Sequence, residues 1–269
     1  MTRPELAQIT SRDNPLLKDL RKLAQDPGAY RKLGRIWLEG DHLCRAARER
    51  GVRPAMALFA ESTWPQVAGQ WADCADRMVL LPDALLHGVS GLESPAPMGF
   101  VIDVPAPAEL AADAPTVVLD RLQDAGNVGS ILRSAAAFGF RQVIAIKGTA
   151  ALWSPKVLRA GMGAHFGLQL VEGADVSTLE ALRLPLLATS SHGGQWLHEA
   201  QARRSLPHPC AWLLGHEGQG VSPGLQARAA QLIRIAQPGG EESLNVAAAA
   251  AICLHASAAM GLPEIGASQ

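Results

Sequence analysis

Five polar residues stand where glycine-rich turns meet the starts of helices: Asn127 and Arg133 after Gly126, Glu217 between Gly215 and Gly220, and Ser243 and Asn245 after Gly239 and Gly240. Glycine lacks a Cβ, so the main-chain N–H and C=O groups of such turns can come close to a flat or charged ligand. A helix mouth adds free N–H groups aimed at the same place. Chemistry on a bound small molecule is therefore one reading of this pattern. The other is structural, since a strand, glycine loop and helix recur in every doubly wound protein. The turns alone leave both open.

The elements that must hold these residues follow from apolar runs. Trp212 to Leu214 and Leu232 to Ile235 are short apolar stretches bounded by Gly and Pro, as strands buried on both faces read. Each empties into a loop, Gly215 to Gly220 and Ala236 to Ser243, and the second loop opens a helix over 246 to 260 whose alanine run has high helix propensity. Upstream, a strand over 117 to 120 ends at Asp120 and is followed by a helix over 128 to 138. Strands over 142–146, 167–171 and 185–189 alternate with helices near 155–160 and over 177–182, which is the order of a doubly wound, parallel α/β sheet. Ligands bind beyond the carboxyl ends of such strands, so the loops are expected to share one rim. Neither G-x-G-x-x-G after the first strand nor a P-loop is present, which weakens dehydrogenase and NTPase readings.

Before Pro105 the chain reads as a smaller α/β domain. Leu16, Leu17, Leu20 and Leu23 recur at helical spacing after the start signal Asn14-Pro15. A helix is expected over 42 to 50, and strands over 36–38, 55–60, 78–81 and 98–104. Pro105 to Pro115 is rich in Ala and Pro without periodicity and reads as a linker. The expected layout is thus residues 1–105, a linker over 106–115, and a second domain over 116–269.

The three glycine-turn segments together resemble the three motifs of the SpoU/TrmH-type RNA 2'-O-methyltransferases, a branch of the SPOUT class. Asn127, Gly129 and Arg133 match the first motif, Gly215, Glu217 and Gly220 the second, and Ser243 to Val246 the third. The segment holding Ser11, Asn14, Lys18, Glu39 and Gly40 is similar to the N-terminal substrate-binding domain of many such enzymes, a fold akin to certain ribosomal proteins. The resemblance implies a C-terminal SPOUT domain with a deep trefoil knot, S-adenosylmethionine as methyl donor, an RNA substrate with ribosomal RNA favoured over transfer RNA, and a homodimer. It implies cofactor contacts at Thr189, Leu214, Gly215, Ile235, Gln237, Ser243 and Leu244, largely through main-chain groups. It implies catalytic work at Arg133, Asn127, Glu217, Ser243 and Asn245. One departure stands in the third motif, which usually opens Ile-Pro-Met and here reads Ile235-Ala236-Gln237.

With 269 residues, 48% apolar and 18% charged, the chain is long enough for two cores. It has no apolar run long enough for a membrane span and no signal-peptide h-region, so the cytoplasm is expected. Cys44, Cys74, Cys210 and Cys253 are scattered without metal-ligand spacing, which predicts free thiols and no metal site. Net charge is −1, but residues 1–60 carry 12 Lys/Arg against 7 Asp/Glu, leaving 12 against 18 in the remainder. The cluster Lys18, Arg21, Lys22, Arg31, Lys32 and Arg35, with Lys156 and Arg159 further on, is a candidate RNA-binding set; ordinary solvated helix positions are its rival reading. Two other functions fit parts of the pattern: an inactive RNA-binding or ribosome-assembly factor, and a doubly wound enzyme with another nucleotide cofactor.

Overall fold

The computed structural model describes residues 5–240 and 243–261. Positions 241 and 242, inside the loop that the sequence places before the last helix, lie outside the described residues.

The chain forms two compact units: the part up to Ala106 together with Trp153–Phe166, and Pro107–Leu152 together with the part from Gly167 onward. The first begins with β1 (Glu5–Gln8), α1 (Pro15–Gln25) and α2 (Ala29–Leu33). Asn14 caps α1 by accepting from the Leu16 N–H at 2.9 Å, and proline occupies the first turn, as the start signal predicts. Leu17, Leu20, Leu23 and Ala24 form its buried face. Each buried leucine is worth about 1.5–3 kcal/mol of transfer free energy, an upper figure for this anchoring. Then follow β2 (Arg35–Glu39), α3 (Asp41–Glu49), β3 (Met56–Ala60), α4 (Trp64–Trp71), β4 (Arg77–Leu81), α5 (Asp83–His87) and β5 (Met98–Asp103). The five strands lie in the order β1-β4-β3-β5-β2, with β5 antiparallel to both neighbours. The strands expected from apolar runs are present within a residue or two. The polar strand β1 and the short helices α2, α4 and α5 lack a long periodic pattern and were not anticipated.

The second unit runs β6 (Thr116–Asp120), α6 (Ala125–Ala137) and β7 (Gln142–Ile146). Along the chain α7 (Pro155–Gly161) intervenes as part of the first unit, and the second resumes with β8 (Gln169–Ala174), a 3-10 helix over Val176–Ala181, β9 (Leu186–Thr189), β10 (Gln195–Trp196) and α8 (Leu197–Ala202). It ends with β11 (Ala211–Gly215), α9 (Pro223–Gln226), β12 (Gln231–Arg234) and α10 (Val246–Met260). Its seven strands pair in the order β10-β12-β9-β11-β6-β7-β8, and every pairing is parallel. Strand β11 lies between β6 and β9 although it follows both in sequence, so the direction of winding changes there. Val118, Ile144, Leu213, Val221 and Leu225 share a core cluster with Leu179. Trp212 is fully buried in β11, where its indole N–H donates to Ser257 of α10 at 2.8 Å.

Three differences from the sequence reading have physical causes. Helix α6 starts at Ala125 rather than 128, because Asp124 caps it by accepting from the Asn127 N–H at 2.8 Å. The stretch expected as an α-helix over 177 to 182 is a 3-10 helix, a usual outcome for so short a segment. The segment around α7, expected in the second domain, groups with the first unit: Trp153, Val157 and Leu158 are buried there. The Ala/Pro-rich stretch is also tied down. Ala111 exchanges two hydrogen bonds with the Gln142 side chain, Asp113 pairs with Arg183, and the Arg183 N–H donates to Ala112 O at 2.9 Å, all within the second unit.

Candidate active site

Strand order brings the carboxyl ends of β6, β11, β9 and β12 side by side. At the end of β6, Asp120 is 1% exposed, and its buried carboxylate is satisfied by the Ser222 N–H at 2.7 Å and Arg121 Nε at 3.0 Å. This bond fixes the far end of the loop that leaves β11. That loop turns back at once: a Cβ at Gly215 would lie 1.9 Å from the Gly220 carbonyl carbon, so only glycine is possible there. The Gly220 N–H closes the turn on His216 O at 2.8 Å, and His216 Nδ1 accepts from the Gly218 N–H at 3.1 Å.

Glu217, at the crest of this turn, reaches across to the entrance of α6. One of its oxygens accepts from the Asp124 N–H at 3.2 Å and from Asn127 Nδ2 at 3.3 Å; the other accepts from the Gln123 N–H at 3.4 Å. Burial by itself raises the Glu217 pKa, but its own backbone N–H, the Asn127 amide and the Asp124 and Gln123 N–H groups together hold it below the ordinary value. A carboxylate so stabilised is a poor proton acceptor and a good anchor for loops.

The third loop joins through Asn245, which caps α10: its Oδ1 accepts from the Ala247 and Ala248 N–H groups at 2.8 and 3.2 Å. Its Nδ2 donates to Asn127 Oδ1 at 2.9 Å. The amide orientations follow from this chain of bonds. Asn245 must turn its oxygen to the helix, so it offers its nitrogen to Asn127, which then has only its own nitrogen left for the Glu217 carboxylate. Three segments far apart in sequence are thereby locked in one polar line.

Around this line lie the residues expected to hold a cofactor. Thr189 Oγ1 donates to Leu213 O at 3.2 Å, and the Ser190 N–H donates to Ile233 O at 2.9 Å, closing β9 onto both neighbours. Gly194 has φ +100°, and a Cβ there would sit 2.2 Å from Leu232 O. Leu214 is fully buried, Ile235 and Gln237 are half-buried, and Ser243 and Leu244 are exposed. The Gly240 N–H donates to Gln237 O at 3.2 Å, while Gln237 Oε1 is buried and accepts no hydrogen bond among the described residues. Ser243 does not cap the last helix; Asn245 does, because it is the residue directly before the first helical position.

Asn127, Glu217 and Asn245 are thus brought together. Arg133 is not bonded to them: it lies exposed on α6, six residues beyond Asn127, and forms no hydrogen bond or ion pair among the described residues. Glu217 therefore orients the α6 entrance and not the guanidinium. All eight basic residues expected to meet RNA fall in the first unit, because α7 brings Lys156 and Arg159 into it. Several are already engaged: Arg21 Nε donates to Gly88 O, Lys22 pairs with Asp19, and Arg35 pairs with Asp103. Arg31 stacks on Tyr30 at 4.9 Å, and Lys18 and Lys32 are exposed.

The sequence reading passed over two residues of the site. Asp124 carries an N-cap signal, an Asp directly before the helix, and the cap rule alone could have found it. Arg121 gives no such signal. It has φ +60°, rare for a residue with a side chain, and is held there by its N–H on Thr149 Oγ1 at 3.1 Å and by Asp120.

Residues 114–255 match the model of the SpoU rRNA Methylase family. The chain is 28% identical to the 23S rRNA (guanosine(2553)-2'-O)-methyltransferase RlmP of Bacillus subtilis, over 93% of this chain and 98% of that one. Among solved structures it is similar to a putative RNA methyltransferase of the TrmH family from Porphyromonas gingivalis, with TM-score 0.77, 33% identity, and coverage of 89% and 95%. The fold is also that of the AdoMet-bound rRNA methyltransferase from Sinorhizobium meliloti, with TM-score 0.80, 24% identity, and coverage of 96% and 99%.

Proposed function

Because the chain belongs to the SpoU rRNA methylase family, we propose that it methylates a ribose 2'-hydroxyl in ribosomal RNA with S-adenosylmethionine as donor. The observation that carries this reading is the polar line Glu217–Asn127–Asn245, which ties the segments of the three motifs to one another. The lining fits such a donor: glycines that let main-chain groups approach, apolar Leu214 and Ile235, and a buried acceptor on Gln237 without a partner among the described residues.

The donor supplies an electrophilic methyl group on a sulfonium. The protein has to bind the ribose in line with it and ease proton loss from a weakly acidic alcohol. Arg133 takes the phosphate beside the target ribose, since its fork suits two phosphate oxygens, and stabilises the developing alkoxide. It is not the base, because a guanidinium does not give up its proton in a protein. Asn127 and Asn245 fix the cleft and offer neutral hydrogen bonds to the ribose, Glu217 anchors the entrance of α6, and exposed Ser243 presents its hydroxyl at the rim.

The first unit, with Lys18, Arg21, Lys22, Arg31, Lys32, Arg35, Lys156 and Arg159, binds RNA by its phosphates. A second copy of the chain covers the exposed Leu244 and Ile252 beside the cleft, which are 39% and 41% exposed. The trefoil threading belongs to the same reading and is supported by the position of β11 between β6 and β9. No helix among the described residues is long and apolar enough to cross a membrane, and an RNA substrate favours a cytoplasmic site of action. The decisive experiment incubates the protein and methyl-labelled donor with ribosomal RNA and, separately, with transfer RNA, then maps ribose methylation by resistance to alkaline cleavage. Label on a single ribose is the expected result; label on a base, or on transfer RNA alone, refutes the reading.

A further inference from the structure

We infer that Gln237 reads the adenine edge of the cofactor and makes this protein select an adenosyl over a 6-oxopurine donor. The inference rests on the methyl-donor reading above and adds a recognition group to it. Gln237 lies just past the end of β12, on the rim shared with β9 and β11. Its main chain is held by the turn in which Gly240 N–H donates to Gln237 O, yet its side-chain oxygen is buried and has no donor among the described residues. Other buried polar atoms left over in the second unit, Gln231 Oε1 and Arg234 Nε, belong to the body of β12 and not to a loop. Gln231 uses its other amide end on Ser205 O, and Arg234 stacks on Trp196 at 3.7 Å.

A buried carbonyl oxygen without a donor is unfavourable, so a ligand that brings an N–H to it gains that lost bond back. The donor molecule has two kinds of N–H, the neutral exocyclic amine of adenine and the cationic ammonium of its amino-acid tail. A buried ammonium needs a charged partner or several acceptors, which one carboxamide is not. The adenine edge is the match: a carboxamide accepts from the exocyclic amine while donating to ring N7, the pairing by which Gln and Asn read adenine in nucleic acids. A methionine in this place fills the same space but supplies only a weak acceptor.

The test uses the full-length protein and calorimetric titration with S-adenosylhomocysteine and with S-inosylhomocysteine, in which a 6-oxo group replaces the amine. The native protein is expected to prefer the adenosyl compound by about tenfold or more. Gln237→Met, and independently Gln237→Leu, are expected to reduce that preference to below about threefold. Without ligand both variants should melt at or above the native temperature, since the unpaired carbonyl is gone. Retained preference in folded variants, or equal binding of both compounds by the native protein, overturns the inference alone. A native protein that binds neither compound overturns the methyl-donor reading and the inference with it.

Discussion

Each polar side chain in the cleft does a separable job. Asn127 is spent on both ends, Glu217 on three donors, and Asn245 on a helix and a neighbour, whereas Arg133 is exposed and carries no bond among the described residues. Arg133→Ala should therefore leave the fold and the affinity for S-adenosylhomocysteine nearly unchanged while lowering methyl transfer by about 10²- to 10³-fold, the usual cost of losing a group that stabilises developing charge. Single-turnover transfer alongside calorimetric titration checks both halves. Glu217 predicts a pH effect of definite sign. Its folded pKa is depressed, so its contribution to stability is complete above the unfolded carboxyl value and is lost as pH falls through the folded one. Urea midpoints measured from neutral pH down to below about pH 4 should fall by more for the native protein than for Glu217→Gln, which starts lower. Equal slopes would remove Glu217 as the anchor.

At the level of elements, the cleft is held by the starts of two helices and the turn between them. Asp124 opens α6 and Asn245 opens α10, and the two caps are linked through Asn127. Asn245→Ala removes a cap worth about 1 kcal/mol and also frees Asn127 to rotate its amide away from Glu217. The expected outcome is a lower melting temperature together with weaker binding of S-adenosylhomocysteine. Asn245→Asp keeps the cap but replaces the donor facing Asn127 with an acceptor, so it should recover the melting temperature more than the binding. Recovery of both by Asn245→Asp would show that only the cap matters.

For the whole molecule, the chain does not divide at one point. Trp153, Val157 and Leu158 belong by proximity to the first unit although they sit between β7 and β8 in sequence. Removing residues 1–106 should therefore expose an apolar segment that a clean domain boundary would leave intact. Light scattering and binding of a hydrophobic dye should both rise in the truncated protein relative to the full chain. Further substitution of Trp153, Val157 and Leu158 by polar residues should bring them back down; a truncated protein as soluble as the parent would disprove this. Burial lifts the thiols of Cys210 to about 11 and of Cys253 to about 12, which keeps them protonated and poorly nucleophilic while folded.

The sequence by itself determined the parallel α/β class and the order of strands and helices around the cleft, because apolar runs and glycine turns are local signals. The family resemblance singled out Asn127, Glu217 and Asn245 together with Arg133 and Ser243, and the structure joins the first three by hydrogen bonds. Tertiary structure alone decided that these three bond to one another, that Asn245 and not Ser243 caps the last helix, and that Arg133 forms no bond to them. It alone showed the strained Arg121 and sent α7 to the first unit. These outcomes depend on which residues meet across the sheet after β11 takes its place between β6 and β9, and contacts spanning a hundred residues leave no trace in the spacing of neighbours along the chain.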